Sequence, residues 1–542
     1  MPQRVSALGP LKHKAFRLFW SANQVSNFGG LVQGVGASWL MTSLTTSPSM
    51  IALVQASTSL PIMLFSLSAG ALADSFDRRR IMLVAQIFML VVSIGLVATT
   101  WAGLLTPWTL LGFTFLIGVG TALNNPSWQA SIGDIVPREN LPEAVSLNSM
   151  GFNLMRSVGP AIGGFIVATA GAAAAFAVNA LSYLPLIFAL LRWTPPPARR
   201  DVPREHFAPA VAAGLRYVAM SPNLLRVMLR GMLFGLGAVS ALALLPLIAR
   251  DLVGGGAMIY GTLLGCFGVG AIGGGLMNAH VRQRFSNELL VRGAFLGFAL
   301  AMLLLSYSRS LILSVPSMLV AGACWVIALS LFNVTVQLSS PRWVVGRSLA
   351  MYQMATFGGL AAGSWIWGAT ASAIGTAGAL QASGLYLLVG GMVGLWLALP
   401  DFGTVDLDPL DRFREPALRL DLRGRSGPIM VMISYVIAPD DIADFLAAMT
   451  ERRRIRRRDG ARQWVLLRDL EQPDQWTESY HVATWEDYLR HNMRRTKADA
   501  EISDRLLRLH QGPAPPTVHR MIERQSVYSH RDVPLKDSDA HI

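Results

Sequence analysis

Charge is scarce in this chain. Of its 542 residues only 15% are charged and 52% are hydrophobic, with a mean hydropathy of +0.42, a balance that excludes an ordinary soluble protein and points to a membrane. Cysteine is nearly absent. Cys266 and Cys324 lie far apart within apolar stretches, which excludes a disulfide framework and the paired-ligand spacing of a zinc site. No Gly-rich run ends in Gly-Lys-Ser/Thr, so a phosphate-cradling loop and ATP-driven transport are not expected. Asp, Glu and His are missing from the middle of every apolar stretch, which leaves no obvious group to carry a proton across a low-dielectric centre. The amino end also lacks a short apolar core followed by a small-residue cleavage site. The first apolar stretch is therefore expected to stay attached as a signal anchor.

What the chain does have is long apolar runs. Each is near the roughly 20 residues that a helix needs to cross about 30 Å of hydrocarbon. By hydropathy about twelve are expected, at residues 15–40, 49–73, 81–100, 108–130, 144–170, 173–191, 224–249, 258–279, 289–307, 311–336, 348–371 and 377–399. The net charge of +13 would elsewhere suggest a nucleic-acid partner, but its placement gives another cause. Arg78, Arg79 and Arg80 follow the second run, Arg192, Arg199, Arg200 and Arg204 the sixth, Arg282 and Arg284 the eighth, and Arg342 and Arg347 the tenth. The alternate loops hold almost nothing basic beyond Arg250 and Arg309. Basic loops stay on the cytoplasmic side, so both termini are expected there and no nucleic acid is implied.

The stretch 137–164 returns after a shift of 204 residues, with Pro341, Arg342, Met354, Gly363 and Gly368 falling on Pro137, Arg138, Met150, Gly159 and Gly164. Gly and Pro fix backbone geometry and close helix approach, so their positions suggest one six-helix unit built twice. The expected organisation is a bundle over 1–192, a Pro-rich connector over 193–223, and a second bundle over 224–400. In a membrane chain such halves rock about a shared midplane site.

The loop after the second run reads Gly70-Ala71-Leu72-Ala73-Asp74-Ser75-Phe76-Asp77 and continues into Arg78, Arg79 and Arg80. It resembles the signature of the major facilitator superfamily, with Asp77 in place of the usual second Gly and Ser75 at a commonly basic position. The resemblance implies an all-α membrane fold of twelve helices in which Asp74 caps the eleventh helix near Gly346 and Arg347. It also implies that Arg78 reaches Asp134, latching a cytoplasmic gate. A carboxylate at a helix N-terminus does meet unpaired N–H groups and the positive dipole end; a solvated turn obeying the charge rule is the other reading. Gly118, Gly120, Ala122 and Pro126 resemble the superfamily's fourth-helix pattern, but Thr114 stands where an Arg linked to proton coupling is usual. The run Gly159-Pro160-Ala161-Ile162-Gly163-Gly164 is similar to the motif of exporters, with Met155 in place of the first Gly of the longer pattern. With Asn153 and Arg156 ahead of it, the run resembles the exporter group that includes enterobactin-type siderophore efflux proteins. Ordinary small-residue packing between helices is the alternative.

Arg156 reads as the charged residue set well inside an expected span, and an intramembrane ion is a functional candidate by default. Ser149, Asn153, Arg156 and Pro160 share a face on a period of about 3.6 residues. Asn23, Asn27, Gly30 and Gly34, with Gln24 beside them, form a second polar stripe, and Asn333 and Gln337 a third. These stripes define candidate substrate contacts at Asn23, Gln24, Asn27, Asn153, Arg156, Asn333 and Gln337, unless they serve as polar glue between helices. Arg156 in a cavity favours an anionic or strongly polar substrate; bracing backbone carbonyls is its other role. Candidate gating residues are Gly70, Asp74, Arg78, Asp134, Gly159, Pro160, Gly163 and Gly164. No catalytic residue, metal ligand or cofactor is indicated.

From Asp401 the composition turns soluble. A linker over 401–427 precedes a domain over 428–525, and a polar segment over 526–542 is expected to be disordered. A strand at 429–437, a helix at 440–458, strands near 462–469 and 475–483, a helix anchored by Trp485, Tyr488, Leu489 and Asn492, and a strand near 518–523 spell a βαββαβ ferredoxin-like unit. It resembles the small dimeric domain of antibiotic-biosynthesis-type monooxygenases, which implies a possible homodimer. Trp464, Trp476, His481 and His491 show no catalytic pattern and are assigned to a sheet core or an interface. The run Arg452, Arg453, Arg454, Arg456, Arg457 and Arg458 is either a lipid-holding helix end or a solvated face.

The sequence thus predicts a secondary transporter of the inner membrane, an exporter of a small polar or anionic molecule such as a siderophore, drug or metabolite, working by alternating access with a proton or other coupling ion. A passive facilitator or importer of the same fold, and a membrane-tethered oxygenase fed by a transporter-like portion, are the alternatives.

Overall fold

A computed structural model describes residues 9–137, 140–193, 207–341, 343–400, 406, 407, 410 and 412–523. Arg138, Arg342, Arg199, Arg200, Arg204 and the segment 526–542 lie outside the described residues, as do the side chains of Asp74 and Asn153. The chain divides into two compact units: Met1–Phe207, Leu225–Val336 and Leu349–Asp401 form the first, and Ala208–Leu224, Gln337–Ser348 and Phe402–Ile542 the second.

The first unit is helical. It is built from α1 (Lys14–Leu44), α2 (Pro48–Ser75), α3 (Arg78–Trp101), α4 (Pro107–Ile135), α5 (Leu141–Ser182) and α6 (Leu184–Arg192). After α7 (Phe207–Ala219) come α8 (Pro222–Ala243), the short α9 (Leu245–Leu247) with a π-turn at Ile248–Leu252, α10 (Ala257–Val281), α11 (Asn287–Tyr307), α12 (Leu311–Leu338) and α13 (Val345–Val393). Among the described residues 9 helical stretches are long and apolar enough to cross a membrane. Local chemistry sets their ends. Asp77 caps α3 by accepting from Arg79 N at 2.9 Å, and Thr106 and Thr109 form a reciprocal capping box ahead of Pro107 in α4, satisfying orphan donors of the first turn.

Two helices are far longer than a bilayer needs. α5 has 42 residues and α13 has 49, and each is interrupted by one glycine with positive φ, Gly171 at 80° and Gly375 at 79°. The runs expected at 144–170 and 173–191 are therefore joined through a single residue, and so are those at 348–371 and 377–399. The difference has a simple cause. A glycine adopts this conformation without a Cβ clash and reverses the chain in one step, with no loop for hydropathy to detect.

The glycines of α5 serve two neighbours. A Cβ on Gly159 or Gly163 would press on Leu31 or Val32 of α1 at 3.1 Å, and one on Gly164 would fall 2.7 Å from Gly261 Cα of α10. One repeat later the pattern returns: a Cβ on Gly363 would collide with Leu236 O of α8, and one on Gly368 would fall 2.7 Å from Ala52 Cβ of α2. Small residues permit this close backbone approach in an environment where lipid supplies little driving force for helix association.

The second unit is built on a four-stranded antiparallel sheet of β1 (Ile429–Val436), β2 (Arg462–Arg468), β3 (Gln475–Val482) and β4 (Thr517–Ile522), in the order β2-β3-β1-β4. Alternation along β1 sends Ile429, Val431, Ile433 and Tyr435 inward against Phe445, Ala448 and Met449 of α14 (Ile442–Arg458) and Trp485 and Tyr488 of α15 (Trp485–Met493). A third helix, α16 (Lys497–Leu509), was not expected from the sequence. Its start is marked by a Thr496–Asp499 capping box, and its buried Leu506 joins the same core.

The arginine run of α14 is not a uniformly solvated face. Arg452 and Arg456 are 7% and 4% exposed, and both pair with the fully buried Glu478 of β3, at 3.3 and 3.1 Å. Arg458 pairs with Asp459 and Asp499 at 2.8 and 2.9 Å. Arg453, Arg454 and Arg457 point outward. Residues four apart share a helix face, so Arg452 and Arg456 meet one carboxylate while Arg453, Arg454 and Arg457 stay wet.

Also within the second unit, α7 and the residues between α12 and α13 gather on the tail domain. Arg216 Nε donates to Arg458 O at 3.2 Å, Arg458 Cζ lies 5.2 Å from the Tyr217 ring centroid, Tyr217 packs edge-on to Trp343, and Arg494 Cζ lies 4.1 Å from the Trp343 centroid.

Candidate functional site

Within the first unit lies a cavity of about 740 Å³, inside the usual range for small-molecule sites. Its walls differ in chemistry. The side built from α1 to α5 presents amides and hydroxyls, among them Asn23, Asn27, Gln33, Gln55, Gln86 and Asn124, while α8, α10, α12 and α13 contribute Leu242, Tyr260, Phe267, Trp325 and Phe357. Part of the amide wall is fixed in place: Gln86 Nε2 donates to Asn124 Oδ1 at 3.2 Å, and Trp128 Nε1 donates to Asn148 Oδ1 at 3.1 Å. Gln33 Nε2 and Gln86 Oε1 are buried without a hydrogen-bond partner, and a buried polar atom left unpaired favours a ligand or water that completes it.

Arg156 reaches the cavity from α5. Among the described residues no carboxylate pairs with it; its Cζ instead lies 5.7 Å from the ring centroid of Phe267 and 5.6 Å from that of Trp325. The cation rests on two aromatic faces, an attraction of about 2 kcal/mol when desolvated.

Of the substrate contacts expected from the sequence, Asn23, Asn27 and Arg156 line the cavity together with Pro160. Gln24 does not. It is 7% exposed, and its Nε2 fills the space that a Cβ on Gly151 of α5 would need. Asn333 is absent from the lining and Gln337 belongs to the second unit. Sequence reasoning missed the amides of α2, α3 and α4 and the whole aromatic wall. Gln86 and the Asn124-Asn125 pair, polar within apolar runs, were the available signal; the aromatics gave none, because a buried ring reads as core.

At one end of the bundle Arg78 gathers three helix termini. Its Nη1 donates to Asp134 Oδ2 at 2.8 Å and to Ala130 O at 3.0 Å, and its Nε donates to Ala73 O at 3.2 Å. Arg79 donates to Leu190 O and Leu191 O at 2.7 and 2.9 Å. Gly70 sits in open space, where an added Cβ would meet nothing within 4 Å. A second buried charge also escaped the sequence reading. Arg230 of α8 is 0% exposed and donates from Nη2 to Glu288 Oε1 at 3.3 Å, while Glu288 Oε2 accepts from Leu399 N at 2.9 Å.

Where α1 finishes and α10 begins, early and late helices of the first unit meet. Arg250 Nη1 donates to Thr42 O at 3.2 Å, Trp39 stacks on Tyr260 with centroids 6.3 Å apart, and Ser49 and Ser372 share a hydrogen bond of 2.9 Å.

The sequence profile of a family described as a transmembrane secretion effector matches residues 5–527. The staphyloferrin A transporter of Staphylococcus aureus (strain NCTC 8325 / PS 47) is 25% identical over 264 residues, which are 47% of this chain and 64% of that relative, so the match spans less than two thirds of it. The enterobactin exporter EntS of Escherichia coli O1:K1 / APEC is 27% identical over 391 residues, covering 70% of this chain and 91% of that one. Among solved structures, a bacterial homolog to the human lysosomal transporter Spinster, inward-facing and unoccupied, superposes with a TM-score of 0.56 at 15% identity, over 72% of this chain and 97% of the other. The xylose transporter XylE from E. coli, inward open, gives 0.55 at 15%, over 71% and 97%. At these identities the structural likeness establishes the fold.

Proposed function

Because this chain belongs to the transmembrane secretion effector family of major facilitator transporters, and is a transporter rather than an enzyme, we propose that it exports a small amphipathic molecule with anionic or strongly polar oxygens. One observation carries this reading. Arg156 places a cation without a paired carboxylate in a cavity whose described lining holds no Asp or Glu. A guanidinium binds carboxylate or catecholate oxygens through charge-assisted, often bidentate hydrogen bonds. The amide wall suits further polar groups, and the aromatic wall suits an apolar or planar portion. The names of two relatives, an enterobactin exporter and a staphyloferrin A transporter, favour the siderophore class.

Transport would proceed by alternating access, with no covalent step. The breaks at Gly171 and Gly375 favour counting α5 and α13 as two passes each, which turns the 9 apolar stretches into eleven; α1, with 31 residues, would be the twelfth, giving six in 1–192 and six in 224–400 around the connector 193–223. An even number leaves both termini on one side, and the basic loops assign that side to the cytoplasm. Asn23, Asn27 and Arg156 would contact substrate. Arg78, Asp134 and Asp74 would form the cytoplasmic gate, with Gly159, Pro160, Gly163 and Gly164 as its bearing surface. A coupling proton would use a carboxylate at the membrane edge, or substrate charge would replace it. After the linker 401–427, the strand order β2-β3-β1-β4 favours a ferredoxin-like tail over 428–525. The register of that sheet turns Met430, Met432, Leu467 and Met521 away from its helices, and a second copy of the chain would cover them.

The test is counterflow in proteoliposomes with citrate and 2,3-dihydroxybenzoate as probes, under imposed pH gradients. Arg156→Ala is expected to lower anion flux at least about tenfold, the scale of one lost charge-assisted contact, while the protein stays folded. Unchanged flux would remove Arg156 from the site.

A further inference from the structure

Arg156 and the two rings beneath it belong to different halves of the transporter. The guanidinium comes from α5, Phe267 from α10 and Trp325 from α12. Directly below, the backbones nearly touch: a Cβ on Gly268 of α10 would lie 2.5 Å from Ser157 Cα and 2.7 Å from Arg156 O. The seam between α5 and the pair α10 and α12 thus combines a close backbone contact with a cation resting on two aromatic faces. All three side chains line the cavity, so whatever binds there meets the seal itself.

Resting on the reading that the cavity takes an anionic substrate, we propose that Arg156 is a substrate-released latch between the halves. In the empty transporter the guanidinium lies on Phe267 and Trp325 and holds α5 against α10 and α12. Anionic oxygens entering the cavity offer the same guanidinium charge-assisted hydrogen bonds, which are stronger than its attraction to a ring quadrupole. The guanidinium turns to the substrate, the rings lose their cation, and the seam weakens while the cavity is filled. A ligand shifts a conformational equilibrium only through differential affinity for the two states, and competition for one guanidinium supplies that difference. This gives a chain without acids in the middle of its spans a way to tie movement of the halves to occupancy. Phe267 and Trp325 are positioning residues in this scheme, and Arg156 is the group that touches substrate.

The full chain, with Cys266 and Cys324 replaced by Ser, is placed in lipid nanodiscs and spin-labelled at cysteines installed for Val145 on α5 and Met277 on α10, both exposed. Electron–electron distance distributions are recorded with and without citrate, a non-aromatic anion whose binding does not depend on stacking, and affinity is measured by calorimetry. In the parent, citrate should shift the distribution. In F267L/W325L the empty protein should already resemble the citrate-bound parent, and citrate should bind about three- to tenfold tighter because no cation–ring contact must be broken. The conservative pair F267Y/W325F should behave as the parent, and R156Q should show no citrate-induced shift and binding at least about tenfold weaker. Parent-like distributions and affinity in F267L/W325L, with citrate bound, would overturn the latch and leave the anion site standing. Equal citrate affinity in R156Q and the parent, or no binding to the parent, would overturn the anion site and the latch with it.

Discussion

Gly171 and Gly375 share one backbone conformation, φ 80° with ψ 172° and φ 79° with ψ 166°, and stand 204 residues apart. That offset is the one at which Pro341 and Gly368 repeat Pro137 and Gly164. A region of backbone space open almost only to glycine recurs at this offset, and at each place it lets a long helix turn within one residue. Alanine at either position is expected to cost about 1–3 kcal/mol. Thermal unfolding in detergent checks this: Gly171→Ala and Gly375→Ala should lower the melting temperature by similar amounts, while Gly112→Ala, where a Cβ meets nothing within 4 Å, should not.

The contact of Gly164 with Gly261 makes a second demand, on space rather than on φ. With a Cβ at Gly164 falling 2.7 Å from Gly261 Cα and 2.8 Å from Ala257 O, even one methyl group must push two backbones apart. Gly164→Val should reduce flux in proteoliposomes more than Gly159→Val, whose first obstacle, Leu31 Cβ, stands farther off at 3.1 Å. Overpacking of this kind costs about 1–3 kcal/mol, and equal effects of the two substitutions would show that the α5–α10 contact does not limit transport.

The apolar runs and the closely packed glycines of α5 were legible because they are encoded by residue types with strong local consequences: Gly and Pro for backbone, long hydrocarbon runs for the bilayer. Arg78 and Asp134 were also readable as partners, and they lie 2.8 Å apart. What stayed hidden depends on distant chain meeting distant chain. Nothing local marks Phe267 and Trp325 as the surface on which Arg156 rests. Nothing in Arg452-Arg453-Arg454 says that the first points to Glu478 on a strand 26 residues later. Arg230 was overlooked because it sits near the start of its helix, where a basic residue reads as a membrane-edge anchor. The α16 cap at Thr496 was present in the sequence but stood too close to the end of α15 to be taken as a new start.

In the tail domain His491 is 2% exposed, and its Nε2 lies 2.8 Å from Arg456 Nη1. An arginine can only donate, so this nitrogen accepts and the ring is neutral. Burial, followed by the neighbouring Arg456 charge, holds its pKa well below the ordinary 6.5. The unfolded chain therefore binds the proton first. Stability from this group is complete above about pH 6.5 and falls by about 1.4 kcal/mol per pH unit below it. Glu478 is opposite in kind: burial works against its charge, but Arg452 and Arg456 overcome that and bring its pKa down to about 2, so its contribution is lost as pH falls from about 4.5 toward 2. Hydrogen exchange of β3 and α15 in the full chain should show protection dropping between pH 7 and 5. His491→Gln, which keeps an acceptor for Arg456 but cannot take up a proton, should flatten that slope. A slope unchanged by the substitution would assign it to other groups.

Arg78 separates a charge effect from a geometric one. Its partner Asp134 is 41% exposed and the ion pair itself is partly wet, so the pair alone is worth at most about 1 kcal/mol. The same guanidinium also donates to Ala73 O, a carbonyl in the last turn of α2 where intrahelical partners run out, and to Ala130 O near the end of α4. Arg78 is thus the point at which α2, α3 and α4 are tied, and Asp134 is one of three strands of the knot. Asp134→Asn should therefore leave the melting temperature nearly unchanged and reduce flux modestly, whereas Arg78→Ala should lower both. Arg78→Lys keeps the charge, but an ammonium on a single stem cannot reach three acceptors in the planar fork that guanidinium provides, so it should behave like alanine in flux while retaining part of the stability. If lysine restores flux fully, charge alone suffices at this position and the geometric account of Arg78 fails.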